Sequence, residues 1–276
     1  MLQDIHPHNL DIAYSADYHP DETSIIMHYK NGKVLACTDN EHPFLFYSQI
    51  EKPQKCVYLF SVDDTKYFLA EDEDVIAPGG YIYQDIKKLR HKEGMLKVNI
   101  MVMFTSYHLW SWYTNNKICG YCGGKTVTDY NERALFCKNC CRVIYPRINP
   151  AVIVGVINGD KLLVTRYAKN RGVSYDALVA GFTEIGETFE QTVAREVHEE
   201  VGLKVKNIRY YKSQPWGYSG GILAGFYCDL DESEEITIDK TELSCAEWRT
   251  RDEITGQPDD LSLTNEMMMN FKNNMK

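Results

Sequence analysis

The second half of this 276-residue chain predicts an α/β fold, a mixed sheet lying between helices. Two patterns carry that expectation. Strand-length apolar runs occupy 151–157, 162–167, 177–182, 208–211, 221–230 and 246–250. Helical signals interrupt them from Thr188 and again over 263–276, a terminal amphipathic, methionine-rich segment suited to core packing.

The stretch 181–203, GFTEIGETFEQTVAREVHEEVGL, organises this region. Thr188 can cap a helix, with Gln191 three residues on completing a capping box, and Gly202 stands where a left-handed C-terminal cap belongs. Phe189, Val193, Val197 and Val201 form an apolar stripe for packing on a sheet. At roughly 100° per residue, Glu199 and Glu200 fall either side of Glu196. Like charges at these spacings repel and weaken an isolated helix, so something must compensate. A hard divalent cation with oxygen ligands does so, against the plainer reading of a solvated acidic face.

Ahead of this region, 1–115 carries no motif of its own and reads as a small α+β domain. Asn31-Gly32 between 24–29 and 33–37 is a hairpin signal, and Asp63-Asp64 turns a second strand pair, 56–62 with 66–69. Pro78-Gly79-Gly80 is a loop, and the segment ending near Tyr113, with Tyr107, Leu109, Trp110 and Trp112, reads as a buried helix. Its aromatics suit a core or a dimer interface better than a ligand pocket.

Residues 116–147 hold Cys119-x2-Cys122 and Cys137-x2-Cys140, two knuckles able to close four thiolates on one Zn2+ at about 2.3 Å per bond. Four thiolates leave no open position, so that zinc is expected to be structural. Redox-active pairs are the competing reading. A nucleic-acid-binding ribbon is disfavoured by Asp129, Glu132 and the acidic chain. Cys37, Cys56, Cys228 and Cys245 read as buried thiols, with Cys141 an unneeded neighbour. The catalytic region then runs over 148–276.

The net charge of −9 opposes broad binding to nucleic acid or an anionic membrane, and no apolar run reaches membrane-span length. The start, MLQDIHPHNL, lacks the basic and apolar parts of a signal peptide. Nine cysteines with metal-type spacing point to a reducing, cytoplasmic location.

The pattern G-x5-E-x7-R-E-V-x-E-E-x-G-L from Gly181 to Leu203 resembles the Nudix hydrolase box at every fixed position. The box is followed by Ser213-Gln214-Pro215-Trp216 and preceded by the four-cysteine ribbon and Tyr145-Pro146-Arg147. The whole is similar to the NAD(H) diphosphatases of the bacterial NudC type, over about 83–276. The resemblance implies an α/β/α sandwich that cleaves the pyrophosphate of NADH or NAD+, giving AMP and NMNH or NMN. It also allows removal of an NAD cap from RNA 5′ ends, although no basic track favours long RNA. Mg2+ or Mn2+ is expected on Glu196, Glu199, Glu200, Glu242 and the Ala180 carbonyl, with Glu200 assisting deprotonation of water. Gly181, Glu187, Arg195 and Gly202 are structural, Arg195 tying helix to loop through Glu187.

For substrate, the resemblance implicates Glu132, Tyr145, Phe182, Gln214, Pro215 and Trp216. Trp216 offers a flat face to a base, Phe182 can sandwich it, and Gln214 can bond its edge. Reading Trp216 as core is the alternative. The loop that follows, Gly217-Tyr218-Ser219-Gly220-Gly221, belongs to the same implied substrate contacts and departs from the family's SQPWPFPxS. Two prolines and a serine are gone, so ordering this loop costs more. That departure admits another substrate, such as ADP-ribose or a diadenosine polyphosphate. A non-catalytic ligand sensor is the more distant alternative. The family further implies a homodimer.

Overall fold

Turn chemistry sets the strand registers in this computed structural model, which describes residues 1–39, 42–51, 55–72, 74–168, 175–231, 233 and 235–273. Asn31 and Gly32 take φ of 51° and 74°, the pair of positive values that a type I′ hairpin needs, and Lys30 pairs with Lys33 across them. Asp63, at φ 51°, starts the second tight turn. Contacts divide the chain into two units.

The N-terminal unit comprises Asp4–Arg147 with Gly217–Gly220. Its strands are β1 (Leu10–Asp11), β2 (Ile25–Met27), β3 (Tyr29–Lys30), β4 (Lys33–Ala36), β5 (Leu45–Phe46), β6 (Cys56–Val62), β7 (Thr65–Ala70) and β8 (Ile82–Asp85). They form a five-stranded sheet, β1-β6-β7-β2-β5, and a three-stranded one, β3-β4-β8. The expected single strand 24–29 is broken at His28, whose buried ring bonds the Asp72 carbonyl and the Tyr83 hydroxyl instead. Two helices follow, α1 (Ile86–Arg90) and α2 (Lys97–Asn115). Side-chain entry of Asp85 onto the Lys87 and Lys88 amides starts α1.

The cysteine ribbon belongs to this unit as a small sheet of β9 (Thr126–Thr128), β10 (Leu135–Cys137) and β11 (Val143–Ile144). Arg133 fastens it by donating to the carbonyls of Ile12 and Leu59, and the Tyr14 hydroxyl donates to Asp129 O at 2.9 Å.

The C-terminal unit joins Met1–Gln3 to Ile148–Trp216 and Gly221–Lys276. Its sheet comprises β12 (Asn149–Asn158), β13 (Lys161–Tyr167), β14 (Val179–Phe182), β15 (Val205–Trp216), β16 (Gly221–Leu230) and β17 (Leu243–Thr250). The order is β15-β16-β12-β13-β17, with β14 also on β12. Among the described residues of this sheet only β12 and β16 run parallel, so the sheet is mixed. Alternation along β12 separates two layers. Val152, Val154 and Val156 pack with Val193, Val197 and Val201 of α3 (Phe189–Val201). Ile153 packs with Leu263, Met267 and Met268 of α4 (Leu263–Lys272) on the other side. The sandwich follows from these two cores. The last three residues of the expected terminal helix lie outside the described residues. Among the described residues, no helix is long and apolar enough to cross a membrane.

Candidate active site

The site grows from the start of α3. Thr188 caps it and exchanges bonds with Gln191, while Gly202 closes it at φ 72°. The capped helix presents its valines to the sheet and leaves Arg195, Glu196 and Glu199 along the edge facing β14. Gly181 on β14 is where that edge meets the strand. A Cβ there would stand 1.9 Å from the Glu196 carboxyl carbon, so only glycine lets this carboxylate seat against the strand.

Arg195 knits the loop to the helix with all five of its N–H groups. Nε donates to Glu187 Oε1 at 2.6 Å, and Nη2 donates to Glu187 Oε2 at 2.9 Å and to the Phe182 carbonyl at 3.0 Å. Nη1 spans Glu196 Oε1 at 2.7 Å and Glu199 Oε2 at 2.9 Å. The guanidinium therefore does more than the expected pairing with Glu187: it also gathers two box carboxylates. It holds the Glu187 carboxyl down at about 2, helped by the Glu184 amide. The Thr192 hydroxyl donates to Glu187 Oε2 at 3.0 Å.

Glu196 is 9% exposed, and burial raises its pKa against the pull of Arg195. The negative fields of Glu199 and Glu242 raise it further. Glu200, 3% exposed, accepts the Asp239 amide on its main-chain carbonyl at 2.9 Å. Asp239 in turn shapes the turn that carries Glu242, accepting from the Thr241 amide and hydroxyl at 2.8 and 2.7 Å. Ala180 lies on β14 beside Gly181, half-buried.

A hard cation fits this donor set. Glu196 and Glu200 are buried carboxylates one turn apart on α3, hard oxygen donors of the kind such a cation takes, while among the described residues no three carboxylates bring oxygens within 4.8 Å of one another. Thr192 and Asp239 were not singled out from sequence. Asp239-Lys240-Thr241 does carry an Asx-turn signal, and Thr192 stands at i+4 from the cap.

Residues 147–269 match the NUDIX domain model. This segment is a NUDIX domain. Over 142 residues the chain is 44% identical to a "NAD-capped RNA hydrolase NudC" of Enterobacter sp. strain 638, covering 51% of this chain and 54% of that one. The corresponding Escherichia coli O1:K1 protein is 42% identical over the same coverage. The chain thus spans about half the length of the curated relatives it matches. A crystal structure of a NUDIX hydrolase from Nitrosomonas europaea shares 19% identity at a TM-score of 0.48, covering 57% of this chain and 91% of that one.

Residues expected around the NUDIX box for substrate are placed unevenly. Phe182, 54% exposed, ends β14 beside Gly181. Trp216 ends β15 half-buried, after an exposed Pro215, and pairs with Gly221. Gln214 is a correction. It is fully buried, its amide donates to Leu261 O at 2.7 Å and Gln3 Oε1 at 3.0 Å, and its oxygen accepts from Leu263 N at 2.7 Å. With these bonds made, it starts α4 and has no edge to offer a base.

Gly217, Tyr218, Ser219 and Gly220 belong to the N-terminal unit. A Cβ at Gly217 would lie 2.2 Å from the Phe104 carbonyl oxygen, and Tyr218 stacks on Tyr107 at 6.1 Å with Lys87 over its ring. The glycine that replaces a family proline thus permits close approach to α2. Glu132 and Tyr145, also in that unit, are joined by a hydrogen bond of 2.8 Å.

In the ribbon, the sulfurs of Cys119, Cys122, Cys137 and Cys140 all lie within 4.8 Å of one another, with Cys119–Cys140 at 3.7 Å and Cys122–Cys137 at 3.4 Å. A tetrahedral site with bonds of about 2.3 Å needs separations of about 3.8 Å, so the four thiols fit one metal ion. The Tyr121 and Cys122 amides draw the Cys119 thiol down to about 6. Cys37 and Cys228 are buried, but Cys56 and Cys245 are only half so, and Cys141 is exposed at φ 58°.

Proposed function

We propose that the chain is a metal-dependent pyrophosphohydrolase that splits NADH or NAD+ into AMP and NMNH or NMN, and that the same cleavage removes an NAD cap from RNA 5′ ends. The supporting observation is the buried Glu196 carboxylate seated on Gly181, in a chain 44% identical over 142 residues to a NAD-capped RNA hydrolase. Glu196, Glu199, Glu200, Glu242 and the Ala180 carbonyl would hold Mg2+ or Mn2+, which would supply charge neutralisation on the phosphates and activation of the attacking water. Glu200 takes the proton as the water oxygen attacks phosphorus. The P–O–P bond breaks and leaves two phosphate monoesters. Arg195 keeps Glu196 and Glu199 aligned and Glu187 fixed. Phe182 and Trp216 supply stacking faces.

In this reading Cys119, Cys122, Cys137 and Cys140 hold one structural Zn2+, and the protein works as a cytoplasmic homodimer. Release of AMP from NADH and NAD+ with Mg2+ or Mn2+ is the test; no release from either form overturns the reading. A second reading, another nucleoside diphosphate derivative such as ADP-ribose, is favoured by one observation. Gln214 is committed to the core and Tyr218 to Tyr107, so two expected substrate contacts are engaged elsewhere. Relative kcat/KM across NADH, NAD+, ADP-ribose and a diadenosine polyphosphate separates the two.

A further inference from the structure

The N-terminal unit holds a cleft of about 270 Å³ between the β3–β4 turn, the end of β7 and the last turns of α2. Its lining residues are distinct from the metal ligands and substrate contacts proposed above. The volume lies just below the range of drug-sized clefts, so it suits a smaller molecule. Leu69 and Ala70, both buried, give it an apolar side.

Aromatic rings supply much of the remaining wall. Tyr29, Trp110 and Tyr113 all line the cleft. Tyr29 stacks on Trp110 with centroids 5.2 Å apart, and its hydroxyl is spent on the Met103 carbonyl at 2.9 Å and on Ser106 Oγ at 2.7 Å. Tyr29 and Tyr113 are buried, as expected of core, yet the same rings also wall a cavity. Rings of this kind attract a cation. The C-terminal end of α2 adds partial negative charge, and its last turn, Trp112-Tyr113-Thr114-Asn115, carries no basic residue in sequence to offset it.

Lys30, Glu71, Asp72 and Lys117 supply charge to the lining. Lys30 pairs with Asp74 at 2.5 Å, and Glu71 pairs with Lys55, so both have partners outside the cleft. Asp72 differs. Its Oδ2 is buried with no hydrogen-bond partner among the described residues, while the residue as a whole is half-buried. A carboxylate solvated on one side only is under-compensated, and a cation reaching its open side offsets that cost. Lys117, just past α2, is exposed and gives the same cleft a positive charge.

We propose that this cleft binds a small zwitterion of the amino-acid class, with its ammonium on Asp72 against the rings and its carboxylate on Lys117. A simple carboxylate would meet Asp72 with nothing to offset it, and a diamine would bring its second charge against Lys117. The zwitterion answers both ends.

The test uses the full chain and three probes built on four carbons: 4-aminobutanoate, butylammonium and butanoate. Each is titrated by calorimetry. 4-Aminobutanoate should bind with a Kd of about 1 mM or tighter. Butylammonium should bind about threefold more weakly, the usual worth of an exposed ion pair, and butanoate should give no measurable heat. Asp72→Asn should weaken 4-aminobutanoate at least about tenfold, as loss of a partly buried charge partner does. Lys117→Ala should bring 4-aminobutanoate and butylammonium to equal affinity. Should Asp72→Asn fail to fold, Lys117→Ala decides alone, because its side chain is exposed. The proposal is overturned by the absence of millimolar binding for all three probes, or by butanoate binding as well as butylammonium. Full 4-aminobutanoate affinity in Asp72→Asn, or an undiminished preference for it in Lys117→Ala, overturns it equally.

Discussion

The two sets of side chains proposed as metal ligands are held in different ways. In the ribbon, main-chain amides of the knuckles hold the sulfurs, and among the described residues only these four bring such ligand atoms within 4.8 Å of one another. On α3 a guanidinium holds the carboxylates: Arg195 gathers Glu196 and Glu199 while anchored to Glu187. Closed thiolate geometry suits a metal that stays and does nothing but support the fold. Carboxylates kept apart by a cation can regroup around an incoming metal–phosphate complex, and that freedom is what a turnover site needs. On the proposed reading the difference is between a site built to keep its ligand and one built to exchange it.

Breaking each site should therefore give opposite signatures. The largest effect is expected for Glu200→Gln, which keeps the packing of a side chain 3% exposed but removes its capacity to take a proton. AMP release should fall about 1,000-fold, within the range for loss of a general base, with an unchanged unfolding transition. Near-normal kcat would remove Glu200 from its role. Cys137→Ser should do the reverse. Zinc measured after desalting should drop from about one per chain to near zero, and amide exchange should quicken through 117–147. The C-terminal unit should keep its protection; full zinc retention would refute the four-thiolate assignment. Arg195→Lys is subtler, since an ammonium cannot reproduce the fork that reaches Glu187, Glu196 and Glu199 together. A loss of about 10–100-fold in activity or in apparent metal affinity is expected, read from metal titrations of the rate. An unchanged metal dependence would show that the carboxylates need no such partner.

Local signals carried much of this into the sequence. Thr188, Gln191 and Gly202 announce α3 because caps and left-handed turns depend on single residues. Asn31-Gly32 announces its hairpin for the same reason. The four cysteines were legible because their spacing is the site. What stayed hidden depends on distant partners. Gln214 looks available until Gln3, Leu261 and Leu263 claim it, and no local pattern says that the first three residues will join the C-terminal unit. Gly217 likewise reads as loosening a loop, whereas it fits the loop against the Phe104 carbonyl. Gly217→Ala should therefore destabilise the protein by about 1–3 kcal/mol in chemical denaturation, the usual cost of forcing atoms into a packed contact. A stabilised variant, the outcome expected of merely restricting a flexible loop, would refute that packing role.

The smallest effect separates the two sites by pH. Glu187 is held at about 2 in the folded protein by Arg195 and the Glu184 amide, below the ordinary value of 4.5. A carboxyl depressed on folding stabilises the protein while it is ionised in both states. Its contribution is therefore complete above about 4.5 and fades as the pH falls toward 2, where folded and unfolded forms are both protonated. Glu187→Gln should be less stable than the parent at pH 6, and the two denaturation midpoints should draw together between pH 4.5 and 3. A gap that stays constant over that window would mean that Glu187 contributes by shape and hydrogen bonding alone. In that case the charge gathered by Arg195 would lie with Glu196 and Glu199, and the loop would hold its place without it.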